Sequence, residues 1–126
     1  LLETGSYVEQ MAEESVPKII ILPILFVISS FIAFSIGSSW GTFAIMIPLS
    51  MEIALSLSLS PSLFLAAVLS GSVFGDHASP ISDTTVVSSM AAATDHIDHV
   101  RTQLPYALFS AGVATVGFFL AGVILL

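Results

Sequence analysis

Residues 71–85 read GSVFGDHASPISDTT. This polar stretch holds two carboxylates, Asp76 and Asp83, one imidazole, His77, and the hydroxyls of Ser79, Ser82, Thr84 and Thr85. It is flanked by an apolar run, Leu63–Phe74, too short to cross a bilayer alone, and by a second small or apolar run, Thr84–Thr94. Together they read as one spanning helix broken near its middle around Pro80. An irregular backbone facing lipid is prohibitive, because each unpaired amide costs several kcal/mol in hydrocarbon. The break is therefore expected to be buried in protein or to line a wet cavity, and intramembrane carboxylates there are expected to be functional. The plainer alternative is a surface loop in which Asp83 only caps the next helix.

Helix dipoles separate the two acids. Asp76 is expected just after the C-terminal end of the first half-helix, where free carbonyls favour cations over a carboxylate. Asp83 is expected at the start of the second half-helix, where amides stabilise negative charge. Asp76 then reads as the acid that exchanges protons and Asp83 as the more permanent anion. Free carbonyls and a carboxylate facing a cavity suit a hard cation such as sodium. His77 reads either as a proton shuttle beside Asp76 or as a histidine that merely fixes the break. The hydroxyls supply ligand oxygens or satisfy freed backbone groups.

Upstream, Ile19–Ile36 is almost wholly apolar and roughly as long as the ~30 Å hydrocarbon core. A second interruption, IGSSWGTF at 36–43, places two glycines and the hydroxyls of Ser38, Ser39 and Thr42 around Trp40. Glycine permits the close approach a re-entrant tip requires. An apolar arm resumes at Phe43 and runs to about Ser60, interrupted by Pro48 and Glu52. Downstream, residues 95–103 read as a polar loop or solvated helix end. His96 and His99 there are spaced for one metal, but no closed ligand set accompanies them. Leu104–Leu126 reads as a full span with Gly112, Gly117 and Gly122 as packing residues. Residues 1–16 carry Tyr7, Val8, Met11 and Ala12 between glutamates and read as an amphipathic lead-in. Residues 17–126 form the transmembrane part.

Composition agrees. Charged residues are 9% of the 126, hydrophobic residues 56%, and the mean hydropathy is +1.04. A soluble domain carries about a quarter charged residues, so this surface is expected to face lipid in a multi-pass membrane protein. Two basic residues exclude a nucleic-acid surface. The absence of cysteine excludes disulfides, thiolate metal sites and thiol nucleophiles. The fold class is thus an all-α membrane protein: a re-entrant or hairpin helix pair, a broken transmembrane helix and a final span. Lys18 and Arg101 fall at opposite ends of this topology, so charge does not orient it.

GSSWGTF (37–43), GSVFGDHASPISDTT (71–85) and DHIDHVRTQLPYA (95–107) together resemble the NhaC-type sodium/proton antiporter family, over about residues 17–126. The resemblance implies half of an inverted-repeat transporter in a bacterial-type plasma membrane. The hairpin tip would lie at 37–42, the broken helix at 62–94, and the 95–103 loop in the cytoplasm. It implies a cation and proton site at Asp76, Ser79, Ser82, Asp83 and Thr84, with Ser38, Ser39 and Thr42 opposite. Sodium and protons would be the transported species, with no cofactor. The chain opens at Leu1 and stops in an apolar run, so it is expected to be the C-terminal part of a longer transporter, partnered by the lipid bilayer, its own first repeat and, in one arrangement, a second copy. Related transporters carry organic acids or amino acids, which is the alternative cargo. An intramembrane hydrolase using Ser79 or Ser82 with His77 and Asp83 is disfavoured, since neither serine sits in a G-x-S-x-G turn and two apolar half-helices suit an ion path better. A non-transporting assembly subunit is disfavoured by the buried aspartates.

Overall fold

The computed structural model describes Tyr7 and residues 17–125. The amphipathic lead-in lies outside the described residues, apart from Tyr7. After a single 3-10 turn at Lys18–Ile20, five α-helices follow: α1 (Ile21–Ile36), α2 (Ser39–Ser56), α3 (Pro61–Ala78), α4 (Asp83–Ala91) and α5 (His96–Leu125). The 3-10 turn with α1, then α2, and then α5 are each long and apolar enough to cross a membrane.

The chain folds as an up-down-up bundle with α5 laid back along it. Phe26 faces Gly71, Ser30 faces Gly75, and Phe34 is hydrogen-bonded to Ser79; each pair is 45 positions apart, so α1 and α3 run parallel. A β-carbon on Gly75 would stand 2.8 Å from both the Ala33 methyl and the Phe34 amide nitrogen. The two backbones touch because Gly71 and Gly75 have no side chains. This is the small-xxx-small contact by which membrane helices pack without a hydrophobic driving force. Between α1 and α3 the chain returns through α2, which is antiparallel to both. Leu22, Phe26, Met46, Ile53, Ala54, Phe64 and Val68 form the shared core.

Each helix end has a local cause. Gly37 takes the left-handed conformation (φ 75°) that terminates α1, and its N–H bonds to the Ala33 carbonyl. Ser38 then caps α2 by accepting from the Gly41 amide at 3.2 Å. Only Gly37 and Ser38 are non-helical, so the expected tip at 37–42 shrinks to two residues, with Ser39–Thr42 in the first turn of α2. Pro48 and Glu52 do not break α2, which runs through both. Ser79 precedes Pro80 and is extended (ψ 129°), as a residue before proline prefers, and this ends α3. Helix α3 therefore continues four residues past Phe74, and the break shrinks to 79–82.

Helix α5 runs antiparallel to α3, with Gln103 beside His77 and Gly122 beside Ile19. Its helix starts at His96, where Asp95 accepts from the Asp98 amide. Of the two readings of 95–103, a polar loop or a solvated helix end, the second holds: 96–103 are the first turns of α5 and continuous with the span. Gly122 packs on the Ile19 backbone, but Gly112 and Gly117 face open space among the described residues. Only 6% of the apolar window of α5 is buried.

The pattern of burial is that of a membrane protein. Every fully or nearly fully buried polar side chain described is a serine or threonine, while Phe31, Trp40 and Phe109 are each more than 70% exposed. Several buried hydroxyls satisfy themselves on their own helix, as Ser30 donating to the Phe26 carbonyl at 2.6 Å and Ser72 to that of Val68 at 2.7 Å, while Ser29 Oγ is buried with no partner among the described residues.

Candidate ion site where two helix breaks meet

The α1–α2 tip and the α3–α4 break lie against each other. Ser79, fully buried, donates to the Phe34 carbonyl at 2.8 Å, in the last turn of α1. A β-carbon on Gly37 would lie 2.8 Å from Ile81 in the break. The tip is close because Gly37 leaves it room.

Asp76 sits at this junction. It occupies the last turn of α3, not a position beyond the helix end as expected from the sequence, and it is half-buried. Ser39, from the first turn of α2, donates to Oδ2 at 3.3 Å. Ser82, in the break, donates to Oδ1. Ser82 also caps α4 by accepting from the Thr84 amide at 3.2 Å, and its Oγ lies 2.7 Å from Thr84 Oγ1. A serine hydroxyl has one hydrogen. With that hydrogen given to Asp76, the Thr84 hydroxyl is the donor in their contact. Three helices thereby deliver four oxygen-bearing side chains to one point.

The other expected residues fall around this set. Asp83 is the first residue of α4, as expected, but it is exposed and hydrogen-bonds to no described residue. Ser38 serves as the cap of α2. Thr42 is fully buried and donates back to the Ser38 carbonyl at 2.9 Å. The carbonyls at the end of α3 are largely taken, contrary to the expectation of free ones. Those of Gly75 and Asp76 accept from the Ser79 amide, and that of His77 accepts from Thr85 at 3.2 Å. His77 itself is exposed, and its Nε2 meets the Gln103 side-chain amide. A glutamine NH2 only donates, so His77 Nε2 accepts there. His77, Ser88, His99, Thr102, Gln103 and Tyr106 line an open pocket of about 390 Å³ beside the break.

The break stands two-thirds of the way along the α3–α4 unit, level with the polar first turns of α5. Leu104 and Leu108 face Phe34, Phe74 and Ala78 just below it. Two contributors escaped sequence reasoning. From α5, Gln103 holds His77 at the end of α3 and His96 holds Pro80 in the break, and helical continuity from His96 was the missing premise. The Gly71–Gly75 spacing was visible as G-x-x-x-G and is the signal that finds the α1 contact.

The sequence profile of the Na+/H+ antiporter family matches residues 1–123. The chain belongs to that family. Members of the Na+/H+ antiporter family are membrane transporters rather than enzymes, and this chain is a multi-pass membrane protein of that kind. It is 44% identical over 124 residues, 96% of its length, to an uncharacterized protein of Haemophilus influenzae. It is 34% identical over 84% of its length to the malate-2H(+)/Na(+)-lactate antiporter of Bacillus subtilis, and 33% identical over 80% to the Na(+)/H(+) antiporter NhaC of Alkalihalophilus pseudofirmus. The chain spans 24%, 24% and 21% of those relatives' own lengths. No solved structure matches it significantly.

Proposed function

We propose that this chain contributes half of the cation site of a secondary transporter that exchanges sodium for protons. The observation that carries the reading is the convergence on Asp76 of Ser39 from the hairpin and Ser82 from the break. One carboxylate binds either a proton or a sodium ion, not both at once. When sodium binds, the Ser39 and Ser82 hydroxyls turn their hydrogens away and offer lone pairs to the ion; when it leaves, they return to the carboxylate. Thr84 backs Ser82, Ser79 ties the break to the end of α1, and Ser38 caps α2. Asp83 is the standing anion at the start of α4. Competition for Asp76 couples the two fluxes without nucleotide.

The architecture in this reading is the second of two inverted repeats, each with a hairpin and a broken helix, and the remaining length of the transporter supplies the first. A site level with the polar turns of α5 is open to water from one side, and alternating access needs the other half to close it. A homodimer of the whole transporter is compatible with the bare face of α5.

The test is sodium-driven pH change in vesicles containing the full-length transporter. Asp76→Asn should abolish exchange, and Asp83→Asn should retain the pH dependence at a reduced rate. PH dependence that survives in Asp76→Asn and vanishes in Asp83→Asn would reverse the assignment.

A second reading is exchange of a small carboxylate. It is favoured by the likeness to the malate-2H(+)/Na(+)-lactate antiporter of Bacillus subtilis. It is also favoured by the N-termini of α2 and α4, both at this junction, whose partial positive charge suits an anionic group. Sodium-dependent uptake of labelled malate or lactate would establish it, and its absence alongside proton exchange would exclude it.

A further inference from the structure

The carbonyl of Pro80 lies in the break and outside any helical ladder. Such a group has no intrahelical partner, and on this exposed side of the break it takes a donor from water or from a nearby side chain. Proline has no N–H of its own to help close the turn. The donor is His96, sixteen residues on and on a different helix: its Nε2 is 2.5 Å from the Pro80 oxygen. The same ring reaches α4, where its Nδ1 is 3.4 Å from Ser89 Oγ. Ser89 is nearly fully buried, and its single hydrogen is shared between the Val86 carbonyl at 2.8 Å and His96 Nδ1, which accepts because Nε2 carries the ring hydrogen. One half-buried imidazole therefore joins the break, the short helix after it and the first turn of α5.

We infer that His96 is a positioning residue for the ion site: it holds the Pro80 carbonyl, and through it fixes the segment that presents Ser79 and Ser82. This rests on the sodium/proton reading above. The carbonyl can only accept, so Nε2 must carry a hydrogen. What the site needs from this residue is thus an N–H at the right reach, not the bulk of the ring. Only Ile81 lies between Pro80 and Ser82, the hydroxyl donor to Asp76, so a displaced Pro80 carbonyl moves Ser82 directly. The titratable groups on the elements meeting at His96 are Asp76 and His77 on α3, Asp83 on α4, and Asp98, His99, Arg101 and Tyr106 on α5, with Asp95 as its cap. The first turn of α5 is held in place by Asp95 independently of the imidazole, so the helix start survives loss of the ring.

The experiment compares His96→Phe, which keeps the size and loses the N–H, with His96→Gln, which keeps a donor at similar reach. Both are made in the full-length transporter in vesicles. His96→Phe should raise the sodium KM about ten-fold, the weight of one lost hydrogen bond, with a smaller effect on maximal rate. His96→Gln should restore most of the loss. In parallel, amide hydrogen exchange of the 79–85 segment should quicken in His96→Phe and stay near wild type in His96→Gln. Equal behaviour of the two variants, whether both normal or both impaired, overturns the inference, as does unchanged exchange in His96→Phe. If wild type moves no sodium, the functional reading fails, while the contrast in hydrogen exchange still decides whether His96 holds the break.

Discussion

Ser79 and Phe34 are joined by a hydrogen bond from the serine hydroxyl to a main-chain carbonyl, 2.8 Å long and spanning 45 positions of sequence. It ties the residue that ends α3 to the last turn of α1. The same offset repeats below it at Ser30–Gly75 and Phe26–Gly71. The hydroxyl thus marks the top of a continuous parallel helix contact and brings the two breaks into register. The same oxygen accepts from the Ile81 amide at 3.4 Å.

Ser79→Ala should leave the Phe34 carbonyl and the Ile81 amide without this partner. The expected cost is about 1–3 kcal/mol, since a buried group left unpaired loses its full desolvation energy. Thermal unfolding in detergent should show a lower midpoint, and sodium-driven exchange should weaken along with it. A midpoint equal to wild type would mean the two breaks are held together by something else.

Gly75→Ala should destabilise by about 1–3 kcal/mol through overpacking, because the added carbon meets the backbone of α1 rather than a movable side chain. Gly41→Ala is the contrast. Its nearest neighbour would be 3.6 Å away, an ordinary contact, and alanine gains roughly 0.5–1 kcal/mol over glycine inside a helix. The two variants should move the unfolding midpoint in opposite directions.

Ser82→Ala removes three contacts at once: the cap of α4, the acceptor of the Thr84 hydroxyl and a donor to Asp76. Loss of the cap alone costs about 1 kcal/mol. Ser39→Ala removes only the weaker 3.3 Å donor. Ser82→Ala should therefore impair sodium affinity more than Ser39→Ala, read as the rise in sodium KM. The reverse order would place the ion nearer the hairpin than the break.

Ala93→Gly should stabilise by about 1 kcal/mol. Ala93 sits at φ 52°, left-handed, just past α4, while the Thr94 amide bonds back to Ser89 and the Ala93 amide to Met90. That geometry usually selects glycine, and an L side chain there is strained. Calorimetry or a denaturant midpoint on the full-length protein reads the shift. A loss of stability would mean that the Ala93 methyl makes a contact that outweighs the strain.

Part of this molecule was legible in the sequence. Leu–Ile–Phe runs of spanning length, nine per cent charge and the polar insert around Pro80 dictated membrane helices with two interruptions. The GSVFGDHASPISDTT block pointed to the family that the profile match establishes. Helix limits near the breaks were misjudged because polarity was taken for irregular backbone. Gly75–Ala78, Ser39–Thr42 and His96–Gln103 are polar or small and yet helical, since a capped helix satisfies more amides than any loop of the same residues.

The sequence by itself determined which residues carry charge and hydroxyls, that Gly37 can take a left-handed φ and that Ser79, before Pro80, favours extended backbone, because these are local properties of a residue and its neighbour. Only the tertiary structure decided that Asp76 meets Ser39 from the hairpin and Ser82 from the break, that Asp83 does not join them, and that His96 reaches back to Pro80. Those outcomes depend on how closely α1 can approach α3 across two glycines, and that distance is set between helices rather than along one.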